Sequence, residues 1–398
     1  MIPYSTQKID KRDINEVIKT LKSPFLTQGP KVIKFEKQIA IKVNAKYAAT
    51  TNSATSALHI SCLALGFQKD DILWTSPNTF VASSNCALHI GGKVDFVDID
   101  YLTGNIDINL LEKKLLRAKK QNKLPKILVP VHFSGLPTEQ QKIYKLSKKY
   151  NFKIIEDASH SLGAKYKNEK VGSCKWSDIN IFSFHPVKII TTFEGGCATT
   201  NKKIIYEKLK LFLNHGITKE KKKFKFKQNK SWYYEQQLLG LNYRMTDVSA
   251  SIGLSQLKKL KIFVNERNNI AKIYSKFLNE KYLHIPKIKK NFFSSFHLYV
   301  IKTKDKYQKY HEKLFNHLKK NKIGVNLHYI PVHLHPYYRN LGFKKGDFKM
   351  SEKHAENAIS IPVFPGLKLR QIQKISNLIN NFFLNIDKKK NNKKWQKH

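Results

Sequence analysis

Four short segments of this 398-residue chain carry side chains that could do chemistry together. Phe182-Ser183-Phe184-His185-Pro186-Val187-Lys188 sets one lysine in an apolar, aromatic stretch, whereas the other lysines stand mostly in polar company. A desolvated lysine has a lowered pKa and can act as an imine-forming nucleophile or carry a proton. Ile154-Ile155-Glu156-Asp157-Ala158-Ser159-His160 ends an apolar run in two carboxylates, and a carboxylate at the end of a buried strand calls for a cationic partner. Asn52-Ser53-Ala54-Thr55-Ser56 supplies small and hydroxylic residues where a helix N-terminus could receive a phosphate. Pro77-Asn78-Thr79-Phe80 offers an aromatic ring able to stack on a planar ligand. Singly, each has a plainer reading: a snorkelling surface lysine, a structural salt bridge, a Ser/Thr cap, a core plug.

The elements that must position these side chains follow from the hydrophobic pattern. The first half alternates short β-branched runs with amphipathic stretches, which predicts an α/β domain around a mostly parallel sheet. Seven strands are expected at Tyr47-Thr51, Ile72-Ser76, Lys93-Asp98, Ile127-Val131, Lys153-Glu156, Ile179-Ser183 and Cys197-Thr200. Helices are expected at Ser56-Leu65 and Thr138-Tyr150. Several strands end in polar residues, and in open α/β sheets ligands bind at those ends. A lysine-rich stretch at 219–231 reads as an exposed excursion. Beyond it Asp247-Leu260 is helical in pattern and runs on towards Ile270-Leu278. From about Ser294 a smaller α+β unit is expected, with a strand at His297-Thr303, a helix near Lys306-Lys320 and a last helix around Leu369-Phe383. The predicted division is a large domain over 1–250, a small one over 251–386, and a basic, disordered tail over 387–398.

The chain carries 73 Lys+Arg against 29 Asp+Glu, a formal net charge of +44. Only six of the basic residues are arginine, the side chain that binds phosphates and base edges bidentately. The lysines are spread along the whole chain, which favours a solvated basic surface over a nucleic-acid-binding face. With 41% hydrophobic residues the chain can build a sizeable core, so wholesale disorder is excluded. No apolar run is long enough to span a membrane, and the N-terminus does not read as a signal peptide; a soluble, cytoplasmic protein with no membrane partner is expected. Cys62, Cys86, Cys174 and Cys197 are scattered without metal-type spacing, so no metal site or disulfide framework is predicted.

Together the four segments supply what pyridoxal phosphate needs: a lysine for its aldehyde, a carboxylate for its ring nitrogen, a helix N-terminus for its phosphate and a ring to stack on. In order and spacing they resemble the DegT/DnrJ/EryC1/StrS family of sugar aminotransferases, from about Ile2 to Leu384. The resemblance implies the pyridoxal-phosphate-dependent transferase fold of type I. Thr27-Gln28-Gly29, Thr103-Gly104-Asn105-Ile106-Asp107, Phe182 to Gly196, Trp232 to Gln236 and Gly240 to Asp247 are similar to the branch of pseudaminic acid biosynthesis.

By that resemblance Lys188 would bond the cofactor and Asp157 would keep its pyridine nitrogen protonated, with His160 beside its phenolic oxygen. Ala54, Thr55 and Ser183 would bind the phosphate and Phe80 would stack on the ring. Asn242 would reach the phosphate from a second subunit, which implies a homodimer with a shared active site. Thr27, Gln28, Gly29, His328 and Tyr329 lie where the family contacts its nucleotide sugar. The implied substrates are a UDP-linked keto sugar and L-glutamate. Phe193 departs from the family, which has a small residue there, and this bears on the shape of the pocket. A related dehydratase would carry His in place of Lys188, and a basic nucleic-acid-binding relic would not keep all four roles filled.

Overall fold

Seven strands form the central sheet of the computed structural model, which describes residues 1–226, 228 and 230–395. They are β1 (Tyr47–Thr51), β2 (Ile72–Thr75), β3 (Lys93–Phe96), β4 (Ile127–Val129), β5 (Lys153–Asp157), β6 (Ile179–Ser183) and β7 (Gly196–Thr200), in the spatial order β1-β7-β6-β5-β4-β2-β3. β7 runs antiparallel to both of its neighbours, and the other pairs are parallel. The strands read as near-continuous apolar runs because helices cover both faces. Ile127, Val129 and Ile155 enter one core cluster, while the intervening Leu128 and Ile154 enter another, as the two-residue period of a strand requires.

The same alternation separates the two carboxylates that end β5. Glu156 faces a structural pocket, where it accepts from Gln140 Nε2 (2.5 Å) and Ser177 Oγ (3.2 Å). Asp157, one position on, turns to the opposite side. Beside it, the helix Ala54–Ala64 starts directly after β1, capped by Ser53, whose hydroxyl accepts from the Ser56 N–H. Gly196, which pairs with both Thr51 and Ser183, lies against that turn: a Cβ there would come within 2.5 Å of Ala54 N and the Ser53 carbonyl. The close approach of β7 to the helix start therefore requires glycine.

A second, three-stranded antiparallel sheet holds β8 (Leu283–His284), β9 (Tyr299–Thr303) and β10 (Ala358–Ile361) in that order. Its core gathers Tyr274, Tyr299, Leu314, Ile375 and Phe383. The helix Leu260–Phe277 joins the two units: Leu260, Phe263 and Val264 pack into a cluster of the large unit, and Ile270, Ala271 and Tyr274 into the small one. The packing thus changes over inside this helix, beyond the division at 250/251 read from the pattern. The chain start also belongs to both units, since Ile2 bridges to Ile323.

Three expectations are corrected. The strand foreseen from His297 begins at Tyr299, because the carbonyls of Phe296 and His297 are taken by Arg267 instead of a neighbouring strand. The helix foreseen near Lys306 is a 3-10 turn, Asp305–Tyr310, followed by the helix His311–Lys320. The last helix runs Leu369–Trp395, past the expected start of a disordered tail at 387. Asp387 is fixed there by Lys281 Nζ (2.7 Å) and Tyr307 Oη (3.2 Å); residues 396–398 of the tail lie outside the described residues. In the lysine-rich 219–231 stretch, Lys227 and Asn229 lie outside the described residues. The stretch springs from a small ladder in which Ile217–Thr218 pairs with Glu235–Gln236, and the Glu235 carboxylate accepts from the N–H groups of Lys225 and Phe226.

Candidate active site

The carboxyl ends of β1, β5 and β6 open into a cavity of about 590 Å³. Lys188, Asp157 and His160 line it, with Ala54, Thr55 and Ser183 at one end. Phe80, His328 and Tyr329 complete the wall. Nine side chains named from the sequence are thus brought together. The other four are not. Gln28 and Gly29 border a separate cavity of about 560 Å³, Thr27 bridges to Thr246, and Asn242 bridges to Asn214.

Burial pulls the pKa of Lys188 down to about 8, against the opposing pull of the Asp157 charge. About a tenth of the amine is therefore neutral and nucleophilic at pH 7, roughly three hundred times the share of a lysine at its ordinary value. Asp157 is 6% exposed and held by two donors, the Ser83 hydroxyl at 2.6 Å and the Ser159 N–H at 3.1 Å. Thr79 Oγ1 lies 2.8 Å from Ser83 Oγ, so the segment after β2 supports the carboxylate through a relay of hydroxyls.

At the helix start, Ser53 caps only Ser56, and the N–H groups of Ala54 and Thr55 and the Thr55 hydroxyl make no hydrogen bond among the described residues. Two free N–H groups at the positive end of a helix, with hydroxyls at Thr55 and Ser183, make an anion site. Phe80 is 60% exposed, which excludes the core-plug reading, and its ring centroid lies 6.4 Å from that of Tyr329.

His160 is fixed on both ring nitrogens. Nδ1 accepts from the Ser134 N–H (3.3 Å), so the proton resides on Nε2, which donates to Tyr329 Oη (3.1 Å). Burial, then the charges of Lys188 and His328, push its pKa well below the usual histidine range. His328 is lowered to about 4 by burial and Lys188, and burial with the Asp157 charge raises the Tyr329 phenol. The loop that carries Ser134 is held by Asn105, whose Oδ1 accepts from Phe133 N (2.9 Å) and whose Nδ2 donates to the carbonyls of Leu136 and Pro137. The Thr103-to-Asp107 segment therefore acts on the site at one remove, by placing the donor to His160. Phe193 is 48% exposed at a φ of 64° and does not line its own chain's cavity.

Sequence reasoning missed Ser83 and two residues that line the cavity, Tyr4 and His297, and named Asn105 only within a segment of family resemblance. His297 carried a readable signal, a lone polar residue at the head of an apolar run, as Asp157 ends one. Ser83 carried none, since a serine in a small-residue helix is common.

The site fits pyridoxal phosphate on its own features: a buried low-pKa lysine, a donor-held carboxylate across the cavity, uncapped helix N–H groups and an exposed ring. Comparison with known proteins agrees. The model of the DegT/DnrJ/EryC1/StrS aminotransferase family matches residues 7–380. The UDP-4-amino-4,6-dideoxy-N-acetyl-beta-L-altrosamine transaminase of Campylobacter jejuni is 42% identical over 375 residues, covering 93% of this chain and 94% of that one. Helicobacter pylori PseC, an aminotransferase of pseudaminic acid biosynthesis, superposes with a TM-score of 0.87 at 32% identity, over 96% of this chain and 99% of that one. The putative sugar aminotransferase Spr1654 of Streptococcus pneumoniae, in its PMP form, gives a TM-score of 0.86 at 27% identity over 95% and 98%. The fold is that of the pyridoxal-phosphate-dependent aminotransferases. With the family model spanning nearly the whole chain, this protein belongs to the DegT/DnrJ/EryC1/StrS aminotransferase family and is a sugar aminotransferase dependent on pyridoxal phosphate.

Proposed function

We propose that the protein transfers the amino group of L-glutamate to C4 of a UDP-linked 4-keto-6-deoxy-N-acetyl hexosamine, giving UDP-4-amino-4,6-dideoxy-N-acetyl-β-L-altrosamine. The 42% identity to a transaminase of that name, over nearly the full length of both chains, carries this reading. Among the described residues no helix is long and apolar enough to cross a membrane, which fits an enzyme handling a nucleotide sugar in the cytoplasm.

When bound, pyridoxal phosphate supplies a carbonyl that takes up the amino group and a ring that accepts electrons from the carbon losing its proton. The protein does the rest. Lys188, lowered to a pKa of about 8, would hold the cofactor through its amine and, when that amine is free, would move the proton at the reacting carbon. Asp157, oriented by hydrogen bonds from Ser83 and Ser159, would pair with the protonated pyridine nitrogen. Ala54, Thr55 and Ser183 would take the phosphate, and Phe80 would cover one ring face. His160, neutral and donating to Tyr329, would stand beside the cofactor's phenolic oxygen as a hydrogen-bonding group that adds no charge.

Asn242 and the Thr27-Gln28-Gly29 turn lie outside their own chain's cavity, and this supports a homodimer in which each subunit lends them to the other's site. The test is a coupled assay. UDP-N-acetylglucosamine is converted by an inverting or by a retaining 4,6-dehydratase, and the aminated product is identified by NMR. Amination of the inverting enzyme's product alone is expected; amination of the retaining enzyme's product alone refutes the sugar assignment and leaves another nucleotide sugar of the family as substrate.

A further inference from the structure

We infer that His297 is a further substrate-contacting residue of the Lys188 cavity, giving a ring N–H hydrogen bond to an oxygen of the bound substrate. The inference rests on the reading of that cavity as the transamination site. His297 lines the cavity, is 1% exposed, and packs against His160 with ring centroids 4.3 Å apart and the ring planes tilted by 43°. Neither of its ring nitrogens makes a hydrogen bond among the described residues, and Nδ1 is fully buried without a partner. An imidazole removed from water and left unbonded is costly, and a phenylalanine would fill the same space without that cost.

The backbone around His297 is held in place by means that packing alone would not require. Phe296 adopts φ of 46°, a left-handed conformation that is strained for a bulky side chain. Arg267, 1% exposed and with no carboxylate partner among the described residues, directs Nη1 to the carbonyls of Phe296 (3.2 Å), His297 (3.1 Å) and Val363 (2.7 Å). Gly135, at φ of 95°, lets its loop approach so closely that a Cβ would lie 2.9 Å from His297 N and 2.6 Å from Ser295 Oγ. Ser295 Oγ donates to the His160 carbonyl at 2.8 Å, tying the segment to the end of β5. A strained residue, a buried cation and a glycine contact from three separate elements thus converge on one result: an unpartnered imidazole presented to the cavity beside His160. Burial, with the charges of His160, Lys188, Arg267 and His328, favours the neutral ring, which offers one N–H and one lone pair.

The matching group is an oxygen acceptor, and both substrates carry one: a carboxylate on the amino donor, or a hydroxyl or carbonyl on the sugar. Calorimetric titration of holoenzyme with two unreactive probes, glutarate and UDP-N-acetylglucosamine, separates these sources. His297→Phe is expected to weaken one probe by about tenfold, to leave the other within about twofold, and to raise the KM of the matching substrate; His297→Gln should restore most of the loss. Weakening of neither probe, or of both equally, overturns the inference and leaves His297 as packing. Should His297→Phe fail to fold, wild-type protein labelled with 15N-histidine reads the same contact, as a shift of a His297 ring nitrogen on addition of one probe, and no shift with either overturns it. Wild-type protein that forms no visible absorbance band with pyridoxal phosphate would instead refute the function of the cavity itself, a different outcome from an intact band with unaltered probe affinity in His297→Phe.

Discussion

The Ser83 hydroxyl donates to the Asp157 carboxylate at 2.6 Å, and Thr79 stands 2.8 Å behind it, so the carboxylate proposed to pair with the cofactor's ring nitrogen is held by a chain of hydroxyls from the next strand-to-helix connection. Removing the Ser83 hydroxyl leaves the carboxylate with one donor and frees its orientation. Ser83→Ala is expected to fold, to bind pyridoxal phosphate about tenfold more weakly, and to lose kcat by a similar factor. Thr79→Val, which disturbs only the second link, should cost less. Cofactor titration by fluorescence measures both; wild-type affinity in Ser83→Ala would mean that the Ser159 N–H alone suffices.

The pKa of Lys188 gives a pH profile with a definite sign. Burial lowers it to about 8 from 10.5, so the nucleophilic fraction of the amine rises through pH 8 and not through 10.5. The Asp157 charge opposes that shift, and removing it must lower the midpoint further. Mixing apoenzyme with pyridoxal phosphate from about pH 6.5 to 10 and following the visible band should give a rate midpoint near 8, and a lower one for Asp157→Asn. An upward shift in Asp157→Asn would contradict the ion-pair account.

Much of this site was legible because it is built at strand ends. Buried strands announce themselves as apolar runs, and the residue just past such a run is where a ligand-facing side chain must stand. Asp157, Ser183 and the Ala54–Thr55 turn were readable for that reason. Ser83, Asn105 and Arg267 were not, because each acts through a contact between segments far apart in sequence: Ser83 lies 74 residues from Asp157, and Arg267 clamps a carbonyl 96 residues away. The early end of the His297 strand has the same origin, since Arg267 on another element withdraws the carbonyls that would have extended the ladder. Thr27, Gln28, Gly29 and Asn242 were nominated by family resemblance alone, and within one chain their positions do not meet the cavity at all.

Acid sensitivity follows from the buried histidines. His160, His297, His328 and His354 all have pKa values lowered by burial first, His328 to about 4 and His354 to about 3. Their neighbours add to this, with Lys188 facing the first three and Lys302 facing His354. Below the unfolded value of about 6.5 the unfolded chain binds protons that the native state refuses. This part of the stability is therefore complete above pH 6.5 and falls as pH drops towards 4, by up to about 1.4 kcal/mol per pH unit for each ring. Urea unfolding of the apoprotein at pH 7.5 and 5 should show the loss, and His354→Gln should make the slope shallower by about one proton. Equal midpoints at the two pH values would exclude the mechanism.

The position of Asn242 makes the homodimer testable without a structure of the pair. Its strand bridge to Asn214 holds it outside its own chain's cavity, beside the segment that carries Gln28 and Gly29 to a separate opening. If each subunit lends Asn242 to its partner's phosphate site, Lys188→Ala and Asn242→Asp proteins are both inactive alone. In a hybrid dimer, however, one site inherits both substitutions and the other inherits neither. Unfolding and refolding the two as an equal mixture should then restore about a quarter of wild-type activity, since half the dimers are hybrids and each has one intact site. A mixture that stays inactive, although refolded wild-type protein regains full activity, would place Asn242 in the service of its own subunit.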